Sequence, residues 1–149
     1  QGHYCVAQVG RAYNAEEVGE SGVAEPGYLA VKENEDVLLY STRAEKGHSE
    51  NRHAWYLYAK NYWNHKRGWL PVESIAGYFA FVARTYDAET ELGYLAVKEG
   101  ERVLIYTKID EQGGHLIKIL EESYLYAKNV STNECGWLPD EVIADWQRD

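Results

Sequence analysis

Five histidines and two cysteines are the side chains of this chain most suited to holding a metal or acting as nucleophiles, and their spacing serves neither purpose. His3, His48, His53, His65 and His115 stand at no metal-ligand spacing. Cys5 and Cys135 have no catalytic motif around them, and there is no Gly-rich phosphate loop. Adjacent acids such as Glu121 and Glu122 would leave a strand on opposite sides, which is poor geometry for acid–base work. The expectation is therefore a chain without catalytic activity, metal or cofactor. Aromatic side chains are abundant instead, with 13 Tyr and 5 Trp. From sequence alone they serve equally to coat a binding groove or to brace a core.

These aromatics sit in tracts that occur twice, in the same order. Gly27-Tyr28-Leu29-Ala30-Val31-Lys32-Glu33 returns at 93–99, Tyr56-Leu57-Tyr58-Ala59-Lys60-Asn61 at 124–129, and Gly68-Trp69-Leu70-Pro71 at 136–139. The first pair is offset by 66 residues (93 − 27) and the others by 68 (124 − 56), so the copies differ by two residues in one loop. Two copies of this length predict two small domains, 1–76 and 77–149, and not a solenoid, which needs three or more stacked units.

Each copy reads as all-β. Val37-Leu38-Leu39-Tyr40 and Val103-Leu104-Ile105-Tyr106 follow charged turns at 32–36 and 98–102. Tyr56-Leu57-Tyr58-Ala59 and its repeat alternate, which puts the tyrosines on one face and Leu with Ala in a core. No capped 3.6-residue apolar period marks a helix. Ser41 to Ala54 and Thr107 to Glu122 read as loops, the first carrying Arg43, Lys46, His48, Arg52 and His53, the second Asp110, Glu111, Glu121 and Glu122. Between the copies, Tyr78, Phe79 and Phe81 are expected to pack across the junction, making the tandem one rigid body.

Composition bounds the partners. A net charge of −9 counts against nucleic acid, whose phosphates need a basic surface. No apolar run approaches the ~20 residues that span a bilayer, so no membrane insertion is expected. The acid is concentrated in the second copy, net −7 against −2 in the first (7 basic and 14 acidic against 8 and 10). Two cysteines at unmatched positions make no disulfide framework, and an intracellular setting is the expectation. The absence of Met and the start at Gln1 suggest a segment cut from a longer protein or a processed form, and the chain is expected to work within a larger polypeptide or complex.

The ordered tracts resemble Src homology 3 domains. Lys98-Glu99-Gly100-Glu101-Arg102-Val103 is similar to their diverging turn, Tyr124 to Lys128 to their W-W-x-A-R strand, and Gly136-Trp137-Leu138-Pro139 to their G-Y-I-P ending. Ala83 to Ala88 and Arg11 to Ala15 resemble the A-L-Y-D-Y opening. The resemblance implies two closely packed five-stranded β-barrels. It also implies a long hairpin after the first strand, carrying in the first copy a seven-residue acidic insertion around Val18 to Glu25. It implies, further, aromatic-walled grooves for polyproline II peptides. Carried over position by position, the walls are Tyr13, Tyr56, Trp69 and Pro71 in the first copy, with Trp55 as a second candidate for the groove tryptophan. In the second copy they are Tyr86, Tyr124, Trp137 and Pro139, with Glu121 and Glu122 as an acidic flank. The second opening Tyr is replaced by Ala15 and Ala88, and the late Tyr by Ser74 and Val142. The acid that meets a ligand Arg is replaced by Tyr28 and Tyr94, which counts against ordinary PxxP recognition. The expected function is a non-catalytic protein–protein interaction module binding extended, Pro-rich or basic segments or a partner protein. The alternative is a structural domain pair with degenerate grooves.

Overall fold

Side-chain alternation sets the strands. Leu57 and Ala59 are fully buried and Tyr58 is exposed; Leu125 and Ala127 repeat the buried pair, as two-residue periodicity requires of a sheet with one covered face. In the computed structural model, which describes residues 5–14, 27–46, 55–88, 93–110 and 112–144, the fold is all-β. Its strands are β1 (Cys5–Val9), β2 (Asp36–Leu39), β3 (Glu45–Lys46), β4 (Trp55–Asn61), β5 (Arg67–Pro71) and β6 (Ile75–Phe81), followed by β7 (Arg102–Asp110), β8 (His115–Lys118), β9 (Leu120–Glu121), β10 (Tyr124–Asn129) and β11 (Cys135–Pro139). Two 3₁₀ turns, Val72–Ser74 and Asp140–Val142, follow the two Gly-Trp-Leu-Pro tracts.

The named strands pair antiparallel within one continuous sheet, ordered β11-β10-β7-β6-β1-β2-β4-β3, with β5 beside β4, β8 beside β7 and β9 beside β10; isolated parallel bridges join Tyr28 to Trp69 and Tyr94 to Trp137. The ladders do not close this path on itself. The two copies meet in β6. Its first half pairs with β1 (Ala7↔Tyr78, Val9↔Ile75) and its second half with β7 (Gly77↔Tyr106, Phe81↔Arg102). Residues 76 and 77 thus lie inside one strand. One apolar cluster runs through both copies, from Val37, Leu39, Leu57 and Leu70 by way of Tyr78, Ala80 and Val82 to Val103, Ile105, Leu125 and Leu138.

A buried asparagine explains the last residue of the Tyr-Leu-Tyr-Ala-Lys-Asn repeat. The Nδ2 of Asn61 donates to Glu35 Oε1 at 3.2 Å, and that of Asn129 to Glu101 Oε1 at 3.1 Å. The same carboxylate oxygens accept the N–H of Lys32 and Lys98, so one side chain ties the charged turn to the turn after β4 or β10. A buried amide with both ends partnered avoids the desolvation cost of leaving it unpaired.

Two expectations are corrected. Tyr78 is buried at the junction, but Phe81 is 59% exposed, and Phe79 lies half-buried with the Arg102 guanidinium 4.2 Å from its ring centre. Alternation along β6 is the reason, since Tyr78, Ala80 and Val82 take the inner face. Thr107 to Glu122 is not a loop: β7 continues to Asp110 and turns into β8, with Thr107↔Lys118 and Asp110↔His115 in register. Of the corresponding tract in the first copy, Glu45↔Tyr56 and Lys46↔Trp55 form a short ladder, while His48, Arg52 and His53 lie outside the described residues, as does the acidic insertion.

Candidate functional site

The glycine of each Gly-Trp-Leu-Pro tract permits a close backbone approach. A Cβ on Gly68 would come 2.8 Å from the carbonyl carbon of Tyr28, and one on Gly136 3.0 Å from the nitrogen of Leu95. Only with that space can 27–29 lie along β5 (Leu29 N–H to Trp69 O, 2.8 Å; Trp69 N–H to Gly27 O, 2.9 Å) and 93–95 along β11 with the same bonds at 2.8 and 2.9 Å. The result places Tyr28 edge-on to Tyr56, centroids 5.3 Å apart at 77°, and Tyr94 edge-on to Tyr124, 5.4 Å apart at 79°. Such pairs contribute about 0.5–1.5 kcal/mol beyond area burial.

Register then builds the same row in each copy. Glu45, Tyr56 and Pro71 are successive cross-strand partners over β3, β4 and β5; Glu121, Tyr124 and Pro139 are the equivalents over β9, β10 and β11. One residue pair further along, Tyr58 packs edge-on to Trp69 at 5.3 Å and against Tyr40 at 5.7 Å, matched by Tyr126 with Trp137 at 5.1 Å and Tyr106 at 5.6 Å. Each copy therefore carries a carboxylate, a Tyr–Pro step and a second aromatic cluster on its outer face.

The copies differ in how open the row is. Tyr56 is only 4% exposed and Pro71 is buried, whereas Tyr124 and Pro139 are half-buried and Tyr94 is 37% exposed. The extended end of β7 contacts the turn Val72–Ser74 of the first copy. The tip of the β7–β8 hairpin is held against residues 42–44 of the first copy by backbone bonds from Ala44 N–H to Gly114 O (2.6 Å) and from Leu116 N–H to Thr42 O (2.7 Å). Trp55 packs against this tip: a Cβ on Gly114 would lie 2.8 Å from its Cζ3. Trp55 thus belongs to the contact between the copies.

Of the remaining candidates, Tyr13 and Tyr86 sit half-buried against the core, each in a backbone bridge to Val31 or Val97. Ala88, Ser74 and Val142 are buried, and Ala15 lies outside the described residues. Glu121 and Glu122 are both exposed, Glu122 in a left-handed turn conformation (φ 57), and neither is ion-paired with a described residue. Two other acids of the flank are neutralised, Asp140 by Lys118 at 2.8 Å and Glu141 by Arg84 at 3.3 Å. Burial pushes the Tyr106 phenol up to about 12, helped by its contact with Cys135 Sγ at 3.7 Å. Among the described residues no cluster of three or more His, Cys, Asp or Glu is placed to hold a metal, and no helix is long and apolar enough to cross a membrane.

Glu45, Tyr28 and Tyr94 join the rows beyond the residues expected as groove walls. The signal for the tyrosines was present, since they stand where the resemblance calls for a ligand-facing acid; Glu45 enters only through strand register. No protein-family model matches the chain, and no curated protein matches it at a significant level.

Proposed function

We propose that the chain is a non-catalytic protein–protein interaction module made of two Src homology 3-like barrels that share β6. In this reading the second copy takes an extended Pro-rich or basic segment, or a partner protein, along the row Glu121–Tyr124–Pro139. The observation that carries it is this row itself: an exposed carboxylate, ion-paired with no described residue, in register with a half-buried Tyr and Pro, under an exposed Tyr94. An aromatic–proline step suits a polyproline II ligand, whose ordering cost is low, and the carboxylate suits a Lys or Arg beside it.

The test is a two-dimensional NMR titration with a proline-rich peptide containing Arg. Saturable shifts confined to residues around Tyr94, Glu121, Tyr124 and Trp137, reduced by Glu121→Gln, support the reading; an unperturbed spectrum at millimolar peptide defeats it. The alternative role as a structural pair has support in the first copy only, where Tyr56 and Pro71 are already covered.

A further inference from the structure

The turn after β4 carries a surface that its folding does not use. In Tyr62-Trp63-Asn64-His65, Trp63 is 69% exposed and Tyr62 45%, their rings edge-to-face at 5.1 Å. Lys60 and Arg67, directly opposed across β4 and β5, stand with Lys66 at its base, with no acidic residue from 60 to 67. None of the three cations forms an ion pair with a described residue; Arg67 lies 5.8 Å over the Tyr40 ring. Like charges directly opposite cost a sheet stability, and an exposed tryptophan gives up apolar burial.

The second copy supplies an internal control. Its turn, Val130-Ser131-Thr132-Asn133, has the same backbone: Asn61 N–H to Lys66 O and Asn129 N–H to Glu134 O are both 2.8 Å, and His65 and Asn133 have φ of 67 and 66. Asn61 Oδ1 accepts the N–H of Trp63 at 2.8 Å, and Asn129 Oδ1 that of Ser131 at 2.9 Å. Yet the positions of Tyr62, Trp63, Lys66 and Arg67 are filled by Val130, Ser131, Glu134 and Cys135. Lys128 matches Lys60, but the turn forms without the aromatic pair and without the cations at the positions of Lys66 and Arg67, so those four side chains of the first copy have a different use.

We propose that Tyr62, Trp63, Lys66 and Arg67 form a docking surface for an acidic protein segment carrying apolar residues. Trp, Tyr and Arg are the residue types that dominate binding energy at protein interfaces. Three cations with no ion pair to a described residue give that surface a polarity opposite to the chain's net charge of −9. The same overall charge disfavours the other anionic occupants: an anionic bilayer or a nucleic acid would draw the acidic body into a repulsive field extending about a Debye length, ~8 Å at physiological salt. This surface is separate from the Glu–Tyr–Pro rows and does not depend on the function proposed for them.

The probe is a short fluorescent peptide of Glu and Asp interrupted by Leu, read by anisotropy and by the indole N–H signal of Trp63. Expected is saturable binding that weakens as salt rises and falls about tenfold or more in Trp63→Ala and in the Lys66→Glu, Arg67→Glu pair. Circular dichroism should be unchanged in both variants, as the second copy's turn leads one to expect. The quadruple change Val130→Tyr, Ser131→Trp, Glu134→Lys, Cys135→Arg should create a second site of similar affinity. The proposal is overturned if the peptide fails to bind, or binds equally to the variants. It is also overturned if Trp63-dependent binding is confined to phosphatidylserine vesicles or single-stranded oligonucleotide, or if the only Trp63-dependent association is between copies of this chain.

Discussion

Trp55 of the first copy lies against Gly114 of the second, so a side chain from one repeat packs on a backbone position of the other. With β6 shared between the copies and one apolar cluster running through both, the chain should unfold in a single transition, with calorimetric and van't Hoff enthalpies equal. Gly114 has φ +72, where an L side chain is strained, and its added Cβ would meet the indole. Gly114→Ala is expected to cost about 1–3 kcal/mol in denaturant unfolding. Two resolved transitions in the parent protein would mean that the copies fold independently.

The tryptophans of the Gly-Trp-Leu-Pro tracts are half-buried and packed edge-on against Tyr58 and Tyr126 on the outer face, not in the core. Trp137→Ala should therefore reduce affinity for a groove peptide by about 1–4 kcal/mol with a smaller loss of stability. Trp69→Ala, beside a row already covered, should leave that affinity unchanged. Calorimetric titration beside thermal melts separates the two; collapse of the fold in Trp137→Ala would mark it as a packing residue.

Much of this was legible in the sequence, because a repeat reports which residues a fold needs twice. The alternation Tyr-Leu-Tyr-Ala marks Leu57, Ala59, Leu125 and Ala127 as core, although Tyr56 on the other face is buried as well. What the sequence hid was relational. Residues 107–122 align with the polar tract Ser41 to Ala54, so they read as a loop, although the hairpin forms because its tip can pair with Thr42 and Ala44 across the junction. Trp55 read as a groove wall for the same reason: the surface that covers it comes from the other copy. Glu45 became visible only once register set it opposite Tyr56.

Alkaline pH offers a test of the core. Burial pushes the Cys5 thiol from 9.0 up to about 12. Its folded pKa exceeds its unfolded one, so the stability tied to the protonated thiol is fully present below pH ~9 and is lost as pH rises toward ~12, at up to about 1.4 kcal/mol per pH unit. Tyr106, raised from 10.0 to about 12, adds to the loss above pH ~10. Denaturant midpoints followed from pH 8 to 11 should fall, and Cys5→Ala should flatten the first part of the fall whatever it does to stability at neutral pH. A parallel decline in the variant would assign the loss elsewhere.

The charge asymmetry between copies leads to the last prediction. The second copy is the more acidic, yet Asp140 and Glu141 are paired with Lys118 and Arg84, which leaves Glu121 and Glu122 beside the open row as exposed carboxylates ion-paired with no described residue. A basic ligand should feel them mainly during approach, where electrostatics raises the association rate and orients the encounter. Glu121→Gln, Glu122→Gln should slow association of an Arg-containing proline-rich peptide and reduce the dependence of that rate on ionic strength, with little change in dissociation at high salt. Glu45→Gln is the internal control, because Glu45 stands in the same register to Tyr56 but beside a row that is already covered. Stopped-flow measurements over a salt series decide the matter: a salt dependence that the Glu121→Gln, Glu122→Gln pair leaves unchanged would reduce these carboxylates to a solvated surface.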